Sequence, residues 1–195
     1  PTTGQVDIHY MRSVFLLQAE CNKRKIGITL HLHKSSIVTF GRNACTAAFL
    51  HSDASHMLFV DTDIQFNEKD IFKMLEADKE ISLIPYPMKW YDWKKAEEMY
   101  KSYKVPMNKG GYHFPMKILN PDDFISEEGF IEIEKGPAGC MLIKREAIER
   151  MIKHYPDLKV KQKHLINEQT KDSTYSYNFW DTEFNKETGS IVGED

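Results

Sequence analysis

The chain has 195 residues, 41% of them hydrophobic, which is enough for one sizeable core or a core with an appended subdomain. Its net charge of −3, with acidic and basic residues interspersed, disfavours nucleic acid as a partner. No apolar run approaches the roughly 18 residues of a membrane span. Cys21, Cys45 and Cys140 are too widely spaced for a zinc site or a disulfide framework, and no secretory leader is visible. We therefore expect a cytoplasmic protein.

Helical and strand patterns alternate over the first 87 residues, as expected of an α/β layered domain. The predicted elements are, in chain order, a helix over 8–22, a half-exposed strand over 25–34, a helix through 44–50, an apolar strand over 56–60, a helix capped by Asn67 and a strand over 81–87. The apolar face of the first helix is predicted to carry Ile8, Met11, Phe15 and Ala19. One face of the 25–34 strand is predicted to carry Ile26, Ile28, Leu30 and Leu32.

Residues 88–128 do not continue the alternating pattern of the first 87 residues. Aromatic residues are interleaved with lysines and are followed by "NKGGYHFP" and "NPDD". We predict one short helix inside a long, partly irregular excursion of the kind that forms binding loops or lids. After it, "FIEIEK" alternates like a strand. "GPAGCMLIKREAIERMIKHYP" predicts a Gly-rich turn, a strand and a helix that ends before Pro156, and 157–178 is expected to be loop-rich.

Two carboxylates, Asp61 and Asp63, directly follow the apolar strand "HMLFV". Ligands bind at the carboxyl ends of strands in open α/β sheets, and residues i and i+2 of an extended segment point to the same side. Carboxylates so placed can bind a hard divalent cation, because Mg²⁺ takes one or two protein carboxylates together with phosphate oxygens. The alternative is a capping or turn pair of aspartates at a strand end.

Three further motifs carry candidate chemistry. "GRN", which contains Arg42 and Asn43, is predicted at the start of the helix before the Asp-x-Asp strand, where a helix N-terminus and an arginine suit phosphate. "GPAGC" offers backbone that can approach a ligand closely, and "GED" at 193–195 supplies another carboxylate pair. The structural alternatives are an ordinary surface arginine, a plain turn and a solvated charge cluster.

In their order along the chain, the motifs resemble the nucleotide-sugar-dependent glycosyltransferases of GT-A fold, in particular small phage and bacterial enzymes. The motifs are "PTTGQV", "RNACTAAFL", "HMLFVDTDIQF", "YPMKW", "GPAGCMLIKR", "FWDTEF" and "GED". The resemblance implies one catalytic domain over 1–195 with a mixed, mainly parallel Rossmann-like sheet flanked by helices. It divides this domain into a nucleotide-binding half, 1–87, and an acceptor-side half, 88–195. A first strand and a terminal segment of the family are missing, so we expect truncation at both ends.

The resemblance also implies roles for individual residues. On the donor side these are a nucleobase loop at Pro1, Thr2 and Thr3, a nucleotide-contacting pair at Arg42 and Asn43, a ribose and metal contact at Asp61, an Mn²⁺ or Mg²⁺ ligand at Asp63, and a turn beside the donor sugar at Gly139. On the acceptor side, Asp195 with Glu194 corresponds to the acidic pair whose aspartate is the base in inverting members. The implied partners are a nucleotide-sugar donor, guessed to be a UDP-sugar, and a glycan or other hydroxyl acceptor in the cytosol of a bacterium or virus-infected host.

Such a site permits metal-dependent sugar transfer. A metal held by Asp63 would offset the charge of the departing diphosphate, Arg42 would contact phosphate, and Asp195 would take the acceptor proton. Without a carboxylate beside the attacking hydroxyl, a retaining route is the alternative. A nucleotidyltransferase and a nucleotide-sugar-binding module without turnover stay open. A phosphatase of the haloacid-dehalogenase type is disfavoured, because "DTDIQF" contains no glycine.

Histidines and aromatic residues form a last group of candidates. His31 and His33 share one face of the predicted strand and are more readily explained as exposed polar residues than as metal ligands. His113, in the "GGYHF" loop, is a weaker candidate for substrate contact. Stacking on a sugar and packing beneath the excursion are equally compatible with the aromatic set Trp90, Tyr91 and Trp93.

Overall fold

A computed structural model describes residues 4–120, 129–161, 164–166, 169–171 and 174–193. The fold is mixed α/β, which confirms the coarse class predicted. Its elements are α1 (Ile8–Arg24), α2 (Val38–Leu50), β1 (His56–Val60), α3 (Glu68–Glu76), β2 (Ile81–Leu83), α4 (Trp93–Tyr103), α5 (Met107–Gly110), β3 (Lys117–Ile118), β4 (Ile133–Lys135), β5 (Cys140–Lys144), α6 (Arg145–His154), a 3₁₀ turn (Pro156–Leu158), β6 (His164–Ile166), β7 (Gln169–Lys171), β8 (Glu183–Asn185) and β9 (Ser190–Val192).

The chain divides into two compact units, Pro1–Ser82 with Ala138–Asp195, and Leu83–Pro137. We call them the first and second unit. The predicted boundary between functional halves at residue 87 stays a prediction. Among the described residues, no helix combines the length and hydrophobicity that crossing a bilayer requires.

A three-stranded sheet in the order β1-β5-β2 organises the first unit. β1 and β5 pair antiparallel, with His56 opposite Lys144 and Val60 opposite Cys140. The central strand, β5, is buried over its first four residues, whereas β1 alternates between buried and half-buried positions. Every pair of described strands whose register is defined, including β3–β4, β6–β7 and β8–β9, is antiparallel. These strand pairs therefore do not show the mainly parallel sheet that the resemblance implies.

The first predicted helix exists, but its buried face differs from the predicted one. The buried residues are Tyr10, Ser13, Leu17 and Cys21. Ile8 and Phe15, predicted to face the core, are 77% and 60% exposed. Ser13 can be buried because its hydroxyl donates to the carbonyl oxygen of Phe66 at 2.7 Å and accepts from the Phe66 N–H at 3.1 Å. A serine satisfied by a distant backbone is invisible to a search for apolar periodicity.

The strand predicted over 25–34 is wrong, because the structure has no strand over 26–33. The apolar residues of its predicted face are between 40% and 51% exposed: Ile26, Ile28, Leu30 and Leu32. Alternation shows which side chains share a face of an extended chain, but it does not supply the hydrogen-bonding neighbour that a strand requires.

Other signals in the first unit are confirmed in part. The strand predicted over 81–87 is shorter, since β2 covers only Ile81–Leu83, and the segment 157–178, expected to be loop-rich, contains β6 and β7. α2 contains the predicted 44–50 segment but begins earlier, at Val38. Asn67 caps α3, since its side-chain oxygen accepts from the Lys69 N–H at 3.0 Å. β5 is followed directly by α6, which ends at His154, before Pro156 as predicted.

The second unit contains two helices, α4 and α5, where the sequence predicted one. Asp92 caps α4 by accepting from the Lys95 N–H at 3.0 Å. Two backbone bonds join the segments on either side of these helices: Met88 N–H to the His113 carbonyl at 2.8 Å, and Asp92 N–H to the Gly111 carbonyl at 3.0 Å. These bonds hold residues 88–92 alongside 111–113.

Gly111 lets the two segments approach. A Cβ there would lie 2.4 Å from the carbonyl oxygen of Asp92 and 2.6 Å from the Tyr91 ring. We expect Gly111→Ala to lower the free energy of unfolding by about 1–3 kcal/mol through overpacking, since its φ of −94° is open to alanine. Urea denaturation followed by tryptophan fluorescence measures this. Gly27→Ala is the matched control, because nothing lies within 4 Å of its added Cβ. Equal losses in the two variants would contradict the steric argument.

Candidate functional site

The Asp-x-Asp motif lies in a turn at the end of β1. The Asp61 N–H donates to the Gly139 carbonyl at 2.8 Å, which extends the β1–β5 ladder by one step. The Ile64 N–H then donates to the Asp61 carbonyl at 3.1 Å and closes a turn over 61–64. Asp61 and Asp63 therefore lie in a turn and not along an extended segment, and their role in metal binding stays a prediction. The Asp61 side chain is 32% exposed, and Asp63 is exposed.

The positive charge that faces Asp61 comes from Arg42 of α2. Arg42 Nη2 lies 3.5 Å from Asp61 Oδ1, and the arginine side chain is only 3% exposed. Its guanidinium carbon lies 5.7 Å from the Phe59 ring centroid and 5.4 Å from that of Trp180. A buried guanidinium is costly unless it is paired, and the carboxylate and the two aromatic faces contribute part of the compensation. Arg42, Asp61, Phe59 and Trp180 together are called the arginine cluster below.

The arginine lies inside its helix rather than at the helix start. α2 begins at Val38, with Ile37 at the N-cap and no side-chain cap. The residues Gly41, Arg42 and Asn43 therefore follow the first helical residues, and their placement at a phosphate-binding helix N-terminus is wrong. The helix start was predicted too late because the β-branched residues of "SSIVTF" have a low helix propensity. In the structure, Val38 to Phe40 are nevertheless helical.

Asn43 joins α2 to the segment 178–180. Its amide nitrogen donates to Asn178 Oδ1 and to the Trp180 carbonyl, each at 2.9 Å. Its side-chain oxygen accepts from the Trp180 N–H at 3.1 Å. Both amide N–H groups are thus engaged, so a nucleotide contact through them would require breaking one of these bonds. The geometry makes Asn43 a positioning residue.

Trp180 is the residue of this site that the sequence reasoning did not single out. Its indole N–H donates to Thr46 Oγ1 at 2.9 Å, and the same hydroxyl donates to the Arg42 carbonyl at 2.9 Å. Its ring packs edge-on against Phe59 with centroids 5.1 Å apart. The available signal was a pair of polar residues, Asn43 and Thr46, at i, i+3 spacing on one face of the helix.

The "GPAGC" turn contributes backbone and a buried thiol. The Gly139 carbonyl holds Asp61 as described, and Cys140 has no exposed surface. Burial, with the nearby carboxylates of Asp61 and Asp70, raises the pKa of the Cys140 thiol from 9.0 to about 12. Because the thiol stays protonated at neutral pH, Cys140 is a packed residue and not a nucleophile.

Five predicted site residues lie outside the described residues: Pro1, Thr2, Thr3, Glu194 and Asp195. The nucleobase loop and the base therefore stay predictions. The structure does bring the other five together around the end of β1: Arg42, Asn43, Asp61, Asp63 and Gly139.

The two aspartates of the turn, Asp61 and Asp63, are the candidate ligands for a divalent metal. Within the described part of the chain, no group of three or more His, Cys, Asp or Glu residues could hold a metal ion. The Asp61 side chain is 32% exposed and Asp63 is exposed, so the Asp63 carboxylate is more accessible to a metal ion. Hard oxygen donors fit Mg²⁺ or Mn²⁺, and a site with so few carboxylates requires further oxygen ligands from a phosphate-bearing substrate and water.

The remaining candidates lie elsewhere. His31 and His33 are half-buried, with nearly parallel rings whose centroids are 6.2 Å apart. In the second unit, Trp90 and Trp93 are 49% and 69% exposed, and His113 stacks on Trp90. Packing beneath the excursion is therefore not the role of these two tryptophans.

Known proteins provide no independent guide to this site, because no protein-family model, curated protein or solved structure matches the chain.

The bonds of Asn43 can be tested by removing its amide. We expect Asn43→Ala to lower the free energy of unfolding by about 1–3 kcal/mol, because part-buried groups of Asn178 and Trp180 lose their partners. Urea denaturation measures the loss. Asn22→Ala, at an exposed position of α1, is the control and should stay within about 0.5 kcal/mol of the wild type. A loss at Asn43 no larger than at Asn22 would contradict the positioning role.

Proposed function

We propose that the chain is the catalytic domain of a metal-dependent glycosyltransferase that moves a sugar from a nucleotide diphosphate sugar to an acceptor hydroxyl. The observation that carries the proposal is the arrangement at the end of β1, where a carboxylate held by a buried arginine adjoins an exposed carboxylate in a turn. The GT-A assignment, with a mainly parallel sheet, belongs to this proposal and rests on the order of motifs.

The two aspartates have different roles in the proposed donor site. Asp63 would ligate Mn²⁺ or Mg²⁺, which supplies Lewis-acid stabilisation of the departing diphosphate when bound. Asp61 is held in place by the Gly139 carbonyl at its backbone and by Arg42 at its side chain. It would contact the ribose and orient the turn. A nearly buried Arg42 is better suited to positioning Asp61 than to contacting phosphate directly.

The acceptor side of the proposal rests on the resemblance. Asp195, with Glu194, would take the proton from the attacking hydroxyl, which implies inversion at the anomeric carbon. Pro1, Thr2 and Thr3 would contact the nucleobase, and a UDP-sugar is the proposed donor. Cytosolic action on a glycan acceptor completes the proposal.

The test is release of nucleoside diphosphate from a panel of nucleotide sugars, by the full chain, with and without Mn²⁺. We expect Asp63→Asn to lower metal-dependent turnover on the order of 10²–10³-fold, because the leaving diphosphate loses its stabilisation. Asp53→Asn, at an exposed position before β1, is the matched control and should keep wild-type turnover.

Three outcomes would contradict this proposal. Turnover that survives Asp63→Asn would remove the metal site from the end of β1. Metal-dependent binding of nucleotide sugars without any release of nucleoside diphosphate would identify a binding module instead. Release of pyrophosphate from nucleoside triphosphates would point to a nucleotidyltransferase.

A further inference from the structure

The second unit exposes an unusual amount of aromatic surface. Its exposed large apolar side chains in and around the 88–92 and 111–113 segments are Met88 at 44%, Trp90 at 49%, Trp93 at 69%, Tyr112 at 39% and Phe114 at 46%. Side chains of this size contribute most to stability when buried, and an exposed patch of them can contain an interaction site that uses only some of its members.

One part of this patch has a defined geometry. The Trp90 and His113 rings stack with centroids 4.3 Å apart and an angle of 23° between their planes. The backbone bonds from Met88 to His113 and from Asp92 to Gly111 hold the two segments in this register. One side of the indole is therefore supported by the imidazole, and half of the tryptophan surface stays exposed. A ring fixed in this way loses little conformational entropy when a ligand binds.

A carboxylate accompanies the stacked rings. Asp92 Oδ2 lies 3.6 Å from His113 Nε2, while Asp92 Oδ1 accepts from the Lys95 N–H at 3.0 Å. The backbone hydrogen bonds from Lys95 and Lys94, and then His113, hold the pKa of Asp92 below its ordinary value. Asp92 therefore stays ionised and offers hydrogen-bond acceptors beside an apolar ring face.

The neighbouring aromatic residue has a structural role instead. The Tyr91 hydroxyl donates to the Met107 carbonyl and accepts from the Gly111 N–H at 3.1 Å. Its ring packs edge-on against Trp93 and Tyr112 with centroids 4.8 Å and 5.0 Å away. Tyr91 thus holds the loop together, and Trp90 is the residue that presents a ring face.

We propose that Trp90, His113 and Asp92 form a carbohydrate-binding surface that receives a neutral pyranose ring of the glycan acceptor. A pyranose has an apolar C–H face that fits an indole and a rim of hydroxyls that fits a carboxylate, while His113 supports the indole from its other side. The Asp92 carboxylate beside the ring disfavours a phosphate backbone as the ligand, because both groups are anionic. The acceptor role rests on the proposed function; sugar binding does not.

The test uses the full chain without donor or metal. Neutral tetrasaccharides built from glucose, galactose or N-acetylglucosamine are titrated, and saturation-transfer NMR and tryptophan fluorescence report binding. At least one should bind, and Trp90→Ala should weaken that binding about fivefold or more. Trp90→Phe should retain part of it. Trp93→Ala, which removes a more exposed indole outside the stack, is the matched control and should leave binding unchanged.

A second variant isolates the carboxylate. Asp92→Asn keeps a good N-cap for α4, so the helix should stay folded by circular dichroism while sugar binding weakens. The inference is overturned if no tetrasaccharide binds, if Trp90→Ala binds like the wild type, or if Trp93→Ala loses as much. Trp90-dependent binding of oligothymidylate in place of sugar would also overturn it. If the chain binds sugar through Trp90 but releases no nucleoside diphosphate, the carbohydrate-binding surface stands. In that case only the glycosyltransferase proposal is contradicted.

Discussion

A buried arginine opposite a carboxylate constrains the end of β1. Arg42 has 2% of its surface exposed, so its charge depends on Asp61 and on the Phe59 and Trp180 rings beside it. Removing one partner of a buried ion pair lowers the free energy of unfolding by more than the intact pair adds to it. The reason is that the remaining charge is left desolvated and unpaired. This asymmetry ties α2, β1 and the Trp180 segment to one arrangement. Asn43 and Thr46 reinforce it through hydrogen bonds to the same segment.

Local signals predicted much of the fold. The apolar run of β1, the Asn67 cap, and the succession of β5 and α6 are each encoded within a few residues, and each is observed. The buried face of α1 and the absent strand over 26–33 depend instead on partners far along the chain. Periodicity identifies side chains that share a face, but burial is decided by what packs there.

For the candidate site, the sequence indicated which residues lie near the end of β1 but not the secondary-structure elements that hold them. The residues Arg42, Asn43, Asp61 and Asp63 do gather around the end of β1, but in a helix interior and a turn rather than at a helix start and along a strand. The bonds from Asn43 to Trp180 span 137 residues, so no local pattern could reveal them. In this arrangement Arg42 contacts Asp61, Asn43 is hydrogen-bonded to the Trp180 segment, and Asp63 is the exposed carboxylate of the turn.

A double-mutant cycle on Arg42 and Asp61 tests the central claim most directly. The free energies of unfolding of the wild type, Arg42→Met, Asp61→Asn and the double variant are measured by urea denaturation. We predict a coupling energy of about 1 kcal/mol or more, since the two groups share a mostly buried ion pair. A coupling energy indistinguishable from zero would mean that Asp61 is not held by Arg42, and the account of the site would be wrong.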